Sequence, residues 1–331
     1  MRPEQLQLLD DLQAQGLVLP EQAASIRHDE HTRPFSVHYE VRTLLYLGIT
    51  LLTGGLGVLI YQHSDEIGHG VLIALMTLLT AACFGYAARH RAPFTWGEAV
   101  RVGFLPDYVL LLGCLLLLSL EGYAQYQYGI FGSRYGLAVF VPAVLFFGLA
   151  YLFDHRGVLS MALTALASWV GVSVAPLSAF TTGYFGGLSS AAVLLGLGLM
   201  SGGLLSEQQN RKRHFSFTYL SLGSNLALLA ATAAVFEDYP SGWLSPVVAS
   251  LLVLLMSGFL VWYARRTHSY LFLLMAAVYG YIVVTYWFFE LLDSPSQRGE
   301  EEIMLVLCYF PLSAAGVVVL FINLKKILRL T

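Results

Sequence analysis

Residues 104–157 read FLPDYVLLLGCLLLLSLEGYAQYQYGIFGSRYGLAVFVPAVLFFGLAYLFDHRG. From Phe104 to Tyr123 the chain is almost wholly apolar, and a helix needs about 20 such residues to cross roughly 30 Å of hydrocarbon. Glu121 interrupts this run near its far end. An aromatic and amide cluster follows (Tyr123, Gln125, Tyr126, Gln127 and Tyr128) and reads as a short turn. Tyr135–Phe153 is apolar again and closes on Asp154, His155 and Arg156. An apolar helix out, a polar turn, an apolar helix back and a basic exit make a membrane hairpin.

Working outward, the same plan recurs. Apolar runs cover residues 41–61, 67–88, 104–123, 135–153, 158–177, 187–205, 217–236, 245–264, 270–289 and 303–324. Composition agrees: 57% of the chain is hydrophobic and 12% charged, against about 25% charged for a chain that must solvate its whole surface. In lipid every backbone N–H and C=O must find an internal partner, which leaves helices or closed barrels, and runs of this length specify helices. The expected fold is all-α, a polytopic transmembrane bundle of ten spans in five hairpins. Residues 1–40 form a short N-terminal helical hairpin and linker, 41–324 the transmembrane domain and 325–331 a basic tail.

The leader is legible in outline. Leu6, Leu9 and Leu12 recur at helical spacing, Gly16 suits a helix C-terminus, and Pro20-Glu21 opens a second short helix. Helices this short are marginal alone and need something to pack on. Residues 1–34 are therefore the expected docking element for a cytoplasmic or membrane protein partner, the lipid bilayer being the other partner of the chain. No secretory signal is evident, because the first apolar run is long enough to stay in the membrane.

Orientation follows from the basic residues, which collect on the cytoplasmic side of membrane proteins. With the N-terminus inside, ten spans leave only Arg134 and Arg298 of the 18 Lys and Arg outside. Nine or eleven spans would strand a basic cluster on the wrong side. Both termini are expected in the cytoplasm. The net charge of -3 gives no footprint for nucleic acid.

The leader's Gly16-Leu17 and Pro20-Glu21, followed by a glycine-rich first span ending Leu59-Ile60-Tyr61, resemble the bacterial "predicted membrane protein" family, domain of unknown function 2157. The resemblance is carried by residues 4–90, with a weaker echo at Gly122–Tyr128. Family members often carry an Asn-Trp pair after the first span, where this chain has Gln62-His63. The resemblance implies a bacterial inner-membrane protein and brings no activity, cofactor or metal.

Candidate chemistry is sparse. Glu121 is the deepest acid, and ionisable groups inside a span are functional candidates by default. Its helical neighbours Gln125 and Tyr128 turn one stripe polar toward the outer mouth. Pairing with Arg134 in the same loop is the structural alternative. Asn225 brings a full amide into the seventh span and needs a partner, and Tyr279 in the ninth is placed to line a path. Ser160, Thr164 and Ser168, and Gly198 and Gly202, are spaced for close helix packing and cross-helix hydrogen bonds. His63, Asp65, Glu66 and His69 crowd the first outer loop as any polar loop must. Cys83, Cys114 and Cys308 lie apart in apolar runs and read as buried hydrophobes. No phosphate-binding, metalloprotease or serine-hydrolase motif occurs. Two functional classes remain: a non-catalytic membrane scaffold or sensor, and a small-solute or lipid transporter with a polar path near Glu121 and Asn225.

Overall fold

The computed structural model describes residues 13, 19, 22, 38–99, 104–132, 134–174, 187–237, 243–292 and 300–323. The expected leader hairpin and the basic tail lie outside the described residues. Among the described residues there are ten α-helices and no strand: α1 (His38–Ile67), α2 (His69–Arg89), α3 (Leu105–Tyr128), α4 (Tyr135–Phe153), α5 (Arg156–Val174), α6 (Leu188–Gln208), α7 (Ser216–Val235), α8 (Pro246–Thr267), α9 (Tyr270–Leu292) and α10 (Glu300–Ile322). A single 3-10 turn, Arg213–Phe215, leads into α7. Within the described residues each apolar run of the sequence falls on one of these helices. Eight, α2 to α9, are long and apolar enough to cross a membrane, while α1 and α10 contain shorter apolar stretches, Thr43–Leu59 and Met304–Val319.

Residues 1–62 and 63–331 form separate compact units. In the first, Thr50 and Thr53 of α1 turn their hydroxyls back onto carbonyls of their own helix. In the second, α2 packs on α3, α4 on α5, α6 on α7 and α8 on α9, so sequential helices are neighbours. Its apolar interior has two parts. One joins α2 to α5 through Leu110, Cys114, Phe146, Ala150, Leu159 and Leu163, and reaches Leu199 and Phe215. The other joins α6 to α9 through Val193, Leu228, Val253, Leu260 and Phe272. Of these eight, α7 with the turn that leads into it is the most enclosed, and it touches α5, α6, α8 and α9.

The α6–α7 seam depends on missing side chains. A Cβ on Gly196 would lie 2.7 Å from the Ala227 backbone nitrogen and from the Gly223 oxygen, and one on Gly223 would lie 2.9 Å from the Gly196 oxygen. A Cβ on Gly203 would meet Tyr219 at 2.9 Å. The glycines expected to do this, Gly198 and Gly202, would meet nothing within 4 Å. Glycines recur so closely here that spacing alone picks the wrong face. The hydroxyls of α5 also differ from expectation. Ser160, Thr164 and Ser168 each donate to the carbonyl four residues earlier. This satisfies the hydroxyl without a second helix. Cys114 is buried as expected, whereas Cys308 on α10 is exposed.

Helix ends refine the reading of the loops. The cluster Tyr123–Tyr128 is the last turn of α3, and the chain reverses at Gly129 and Gly132, with φ of 57° and 56°. Those left-handed values suit glycine. Likewise α1 runs to Ile67 and α2 starts at His69, so the loop expected between the first two runs reduces to Gly68, at φ 81°. Ser245 caps α8 by accepting the Val248 N–H, and Pro246 takes the first helical position. That position has no intrahelical bond to lose.

Candidate functional site

The six residues singled out in the sequence fall into two groups. Glu121, Gln125, Tyr128 and Arg134 share the α3–α4 hairpin. Glu121 is half-buried, and its Oε1 is shielded from solvent with no hydrogen-bond partner. It makes no ion pair with Arg134, which is exposed at the position before α4. Gln125 is committed to the turn: its amide donates to the Gly132 carbonyl at 3.0 Å and accepts the Phe131 N–H at 2.8 Å. Tyr128 is exposed. Nearby, His69 Nδ1 meets the Tyr123 hydroxyl at 2.7 Å and ties the start of α2 to the end of α3.

The second group is a pair. Asn225 on α7 and Tyr279 on α9 meet, the tyrosine hydroxyl donating to the amide oxygen at 3.3 Å. Asn225 thus has the partner that an amide inside a span requires. Glu121 sits on a helix packed against α2, α4 and α5, and Asn225 on one packed against α5, α6, α8 and α9. Among the described residues no hydrogen bond joins the two groups.

The strongest polar constellation was missed in the sequence. Asp154 follows α4 in the left-handed conformation, φ 56°. Its Oδ1 accepts from Lys212 Nζ at 2.7 Å and from His214 Nε2 at 2.6 Å, and its Oδ2 from the Ala99 N–H at 2.6 Å. The Lys212 side chain is 1% exposed. Its ammonium lies 5.2 Å from the Phe94 ring centroid and its backbone N–H donates to the Trp96 carbonyl at 2.7 Å. Ser206 holds the Arg211 carbonyl at 2.6 Å from the end of α6. Burial pushes the Asp154 carboxyl up, but the Ala99 amide, Lys212 and His214 outweigh it and hold the group below the ordinary carboxylate range. Three segments, 94–99, 154–156 and 209–215, are thereby fastened at one point.

Smaller contacts continue this end. His155 accepts the Val158 N–H on Nδ1 at 3.1 Å, capping the first turn of α5. A Cβ on Gly157 would come within 2.9 Å of that ring. Arg156 pairs with Glu98 at 3.0 Å on the surface. Tyr263 of α8 donates to Glu207 of α6 at 3.0 Å. The clue in the sequence was Asp154 itself, an acid standing alone among basic residues at a helix end. It passed as part of a solvated exit cluster.

The model of a protein family described as predicted membrane protein (DUF2157) matches residues 10–159. The resemblance is to that family. The DUF2157 match covers α1 to α4 and the first turn of α5, beyond the 4–90 stretch that carried the resemblance in the sequence. Glu121, Gln125, Tyr128, Arg134 and Asp154 lie inside it, and Lys212, His214, Asn225 and Tyr279 lie outside. No curated protein and no solved structure matches the chain.

Proposed function

We propose that this helical membrane protein is a non-catalytic scaffold or sensor of the bacterial inner membrane. It places ten spans in five hairpins with both termini in the cytoplasm, and residues 1–34 dock a cytoplasmic or membrane partner. One observation carries the reading: the best-developed polar network, around Asp154, is closed on itself and spent on fastening turns together. Its carboxylate oxygens are fully engaged by Lys212, His214 and the Ala99 amide, so it serves rigidity at the basic end rather than access for a solute. A rigid basic end is what a docking platform needs.

Two measurements test it. Cysteines placed at Ser64, Ser133, Thr182, Ser241 and Ser296 label from outside intact cells and one at Ser206 does not; labelling at Ser206 overturns the topology. Deleting residues 1–34 leaves a stably inserted protein that loses the partners captured by crosslinking in cells. If the truncated chain fails to accumulate, the leader belongs to the core fold and the docking role falls.

A specific observation favours the second reading, a transporter or permease for a small solute or lipid. A buried carboxylate oxygen with no partner, as at Glu121, is costly unless something visits it. Cysteines at Leu117 and Ala124, one turn to either side, decide between the readings. Reaction with a membrane-impermeant maleimide at both positions establishes a water-filled path and overturns the scaffold. Protection at both leaves the path without support.

A further inference from the structure

The segment fastened at Asp154 presents its aromatic side chains outward. The Ala99 N–H donates to Asp154 and the Trp96 carbonyl accepts the Lys212 N–H, so the segment is pinned through its backbone. The side chains of Phe94 and Trp96 are left exposed, edge to face at 5.3 Å. The Arg211 guanidinium lies over the Trp96 ring, its central carbon 5.2 Å from the ring centroid. Such a contact is favourable in itself, and it leaves the N–H donors around the edge of the cation for oxygen acceptors. Among the described residues no carboxylate pairs with Arg211; the ion pairs of this end engage Lys212, His214 and Arg156. Arg89, Arg91 and Arg213, close in sequence to the two rings and to Arg211, are exposed as well.

Cation and rings together select the ligand. Two large rings facing water forgo the burial that their area offers. At the end of an apolar helix bundle they suit the head-group level of a bilayer, where amphipathic rings collect. Phosphate oxygens lie at that same level, and a guanidinium grips a phosphate with two parallel N–H···O bonds. A zwitterionic lipid neutralises its phosphate with its own ammonium, whereas an anionic lipid keeps its charge for the arginines. An acidic protein would satisfy the arginines alone; the rings favour the lipid. We propose that Trp96 and Arg211, with Phe94 beside them, bind an anionic phospholipid of the phosphatidylglycerol class. Arg211 takes the phosphodiester, and the two rings take the glycerol and the first acyl carbons. The buried Asp154–Lys212 pair keeps the site in shape. The site goes beyond the docking role proposed for residues 1–34 and depends neither on that role nor on Glu121.

The test is native mass spectrometry of the full chain released from nanodiscs holding equal phosphatidylglycerol and phosphatidylcholine. The wild type retains phosphatidylglycerol in preference. Arg211→Gln lowers that preference roughly tenfold, the worth of one charge-assisted hydrogen bond. Trp96→Leu lowers it several-fold by removing the ring under the cation. It spares the backbone carbonyl that Lys212 holds, so the melting temperature stays that of the wild type. Arg156→Gln, whose arginine is already engaged by Glu98, leaves the preference within about twofold. An undiminished preference in Arg211→Gln, or losses of equal size in Arg211→Gln and Arg156→Gln, overturns the site. Equal retention of the two lipids by the wild type overturns the lipid assignment and gives the face to an acidic protein. Loss of the adduct in excess inorganic phosphate at constant ionic strength overturns it in favour of a free anion.

Discussion

At the end of residues 63–331 that carries Asp154, the acids have partners: Asp154 with Lys212 and His214, Glu98 with Arg156, and Glu207 with the Tyr263 hydroxyl. At the end that carries Glu121 and Glu237, Glu121 has an oxygen with no partner, Glu237 meets a serine, and a cleft lined mostly by apolar residues lies between α5, α6 and α7. The helices running between the ends are the same. What differs is how their turns are tied. A turn held by a buried ion pair keeps its neighbours fixed, because releasing either partner strands a charge in a poor dielectric. The turn at Gly129–Gly132 is held by its own backbone and by Gln125, with no buried ion pair among the described residues.

Breaking the matched end has the largest expected effect. Lys212→Met leaves Asp154 buried without its ammonium partner and costs about 3–5 kcal/mol; thermal unfolding in detergent reads it directly. Rescue by the second substitution Asp154→Asn, which removes the stranded charge and tolerates the left-handed conformation, distinguishes this cause from poor packing of the methionine. Next comes the seam between the ends. Gly196→Ala places a methyl 2.7 Å from backbone atoms of α7 and costs about 1–3 kcal/mol by overpacking, whereas Gly198→Ala, where nothing lies within 4 Å, leaves the melting point unchanged. Equal effects of the two would place the close approach on the wrong face.

The helices were legible in the sequence because an apolar run of fixed length has one answer in lipid. Which end was tied was not. Asp154 binds Lys212 and His214 across 58 and 60 residues, and nothing in local pattern announces such a distant pairing. The same holds for Asn225 and Tyr279, each singled out alone and joined only by the fold. Where local rules were over-applied the structure corrected them. The polar run Tyr123–Tyr128 looked like a turn because of its composition, yet it continues α3 until Gly129 supplies a left-handed residue. The hydroxyls of α5 looked like cross-helix glue and are satisfied within their own helix.

Acid sharpens the contrast by a smaller amount. The Asp154 carboxyl is held below the ordinary range, so it binds its proton more readily in the unfolded chain than in the fold. Its contribution is complete above the unfolded value of about 3.9 and is lost as pH falls through the lowered folded value. The wild type therefore loses melting temperature steeply below about pH 4, and Asp154→Asn, which keeps a side chain tolerant of the left-handed conformation, starts lower and falls less. Parallel curves would mean that the three turns are fastened by something other than this carboxylate.

The smallest effect belongs to Glu121→Gln. Glutamine has the same shape, and the Oε1 makes no hydrogen bond that the substitution could break. Stability changes by less than about 1 kcal/mol, of either sign, within the range of substitutions that disturb no bonded network. Asp154→Asn is the matched control: it also exchanges a carboxylate for an amide, but at the end where three donors converge on the carboxylate. The ratio of the two losses measures how differently the ends are tied. A loss in Glu121→Gln as large as that in Asp154→Asn would mean that Glu121 is held by partners of its own. The end carrying it would then be fastened as firmly as the other, and the case for a visitor at its acid would lose the openness on which it rests.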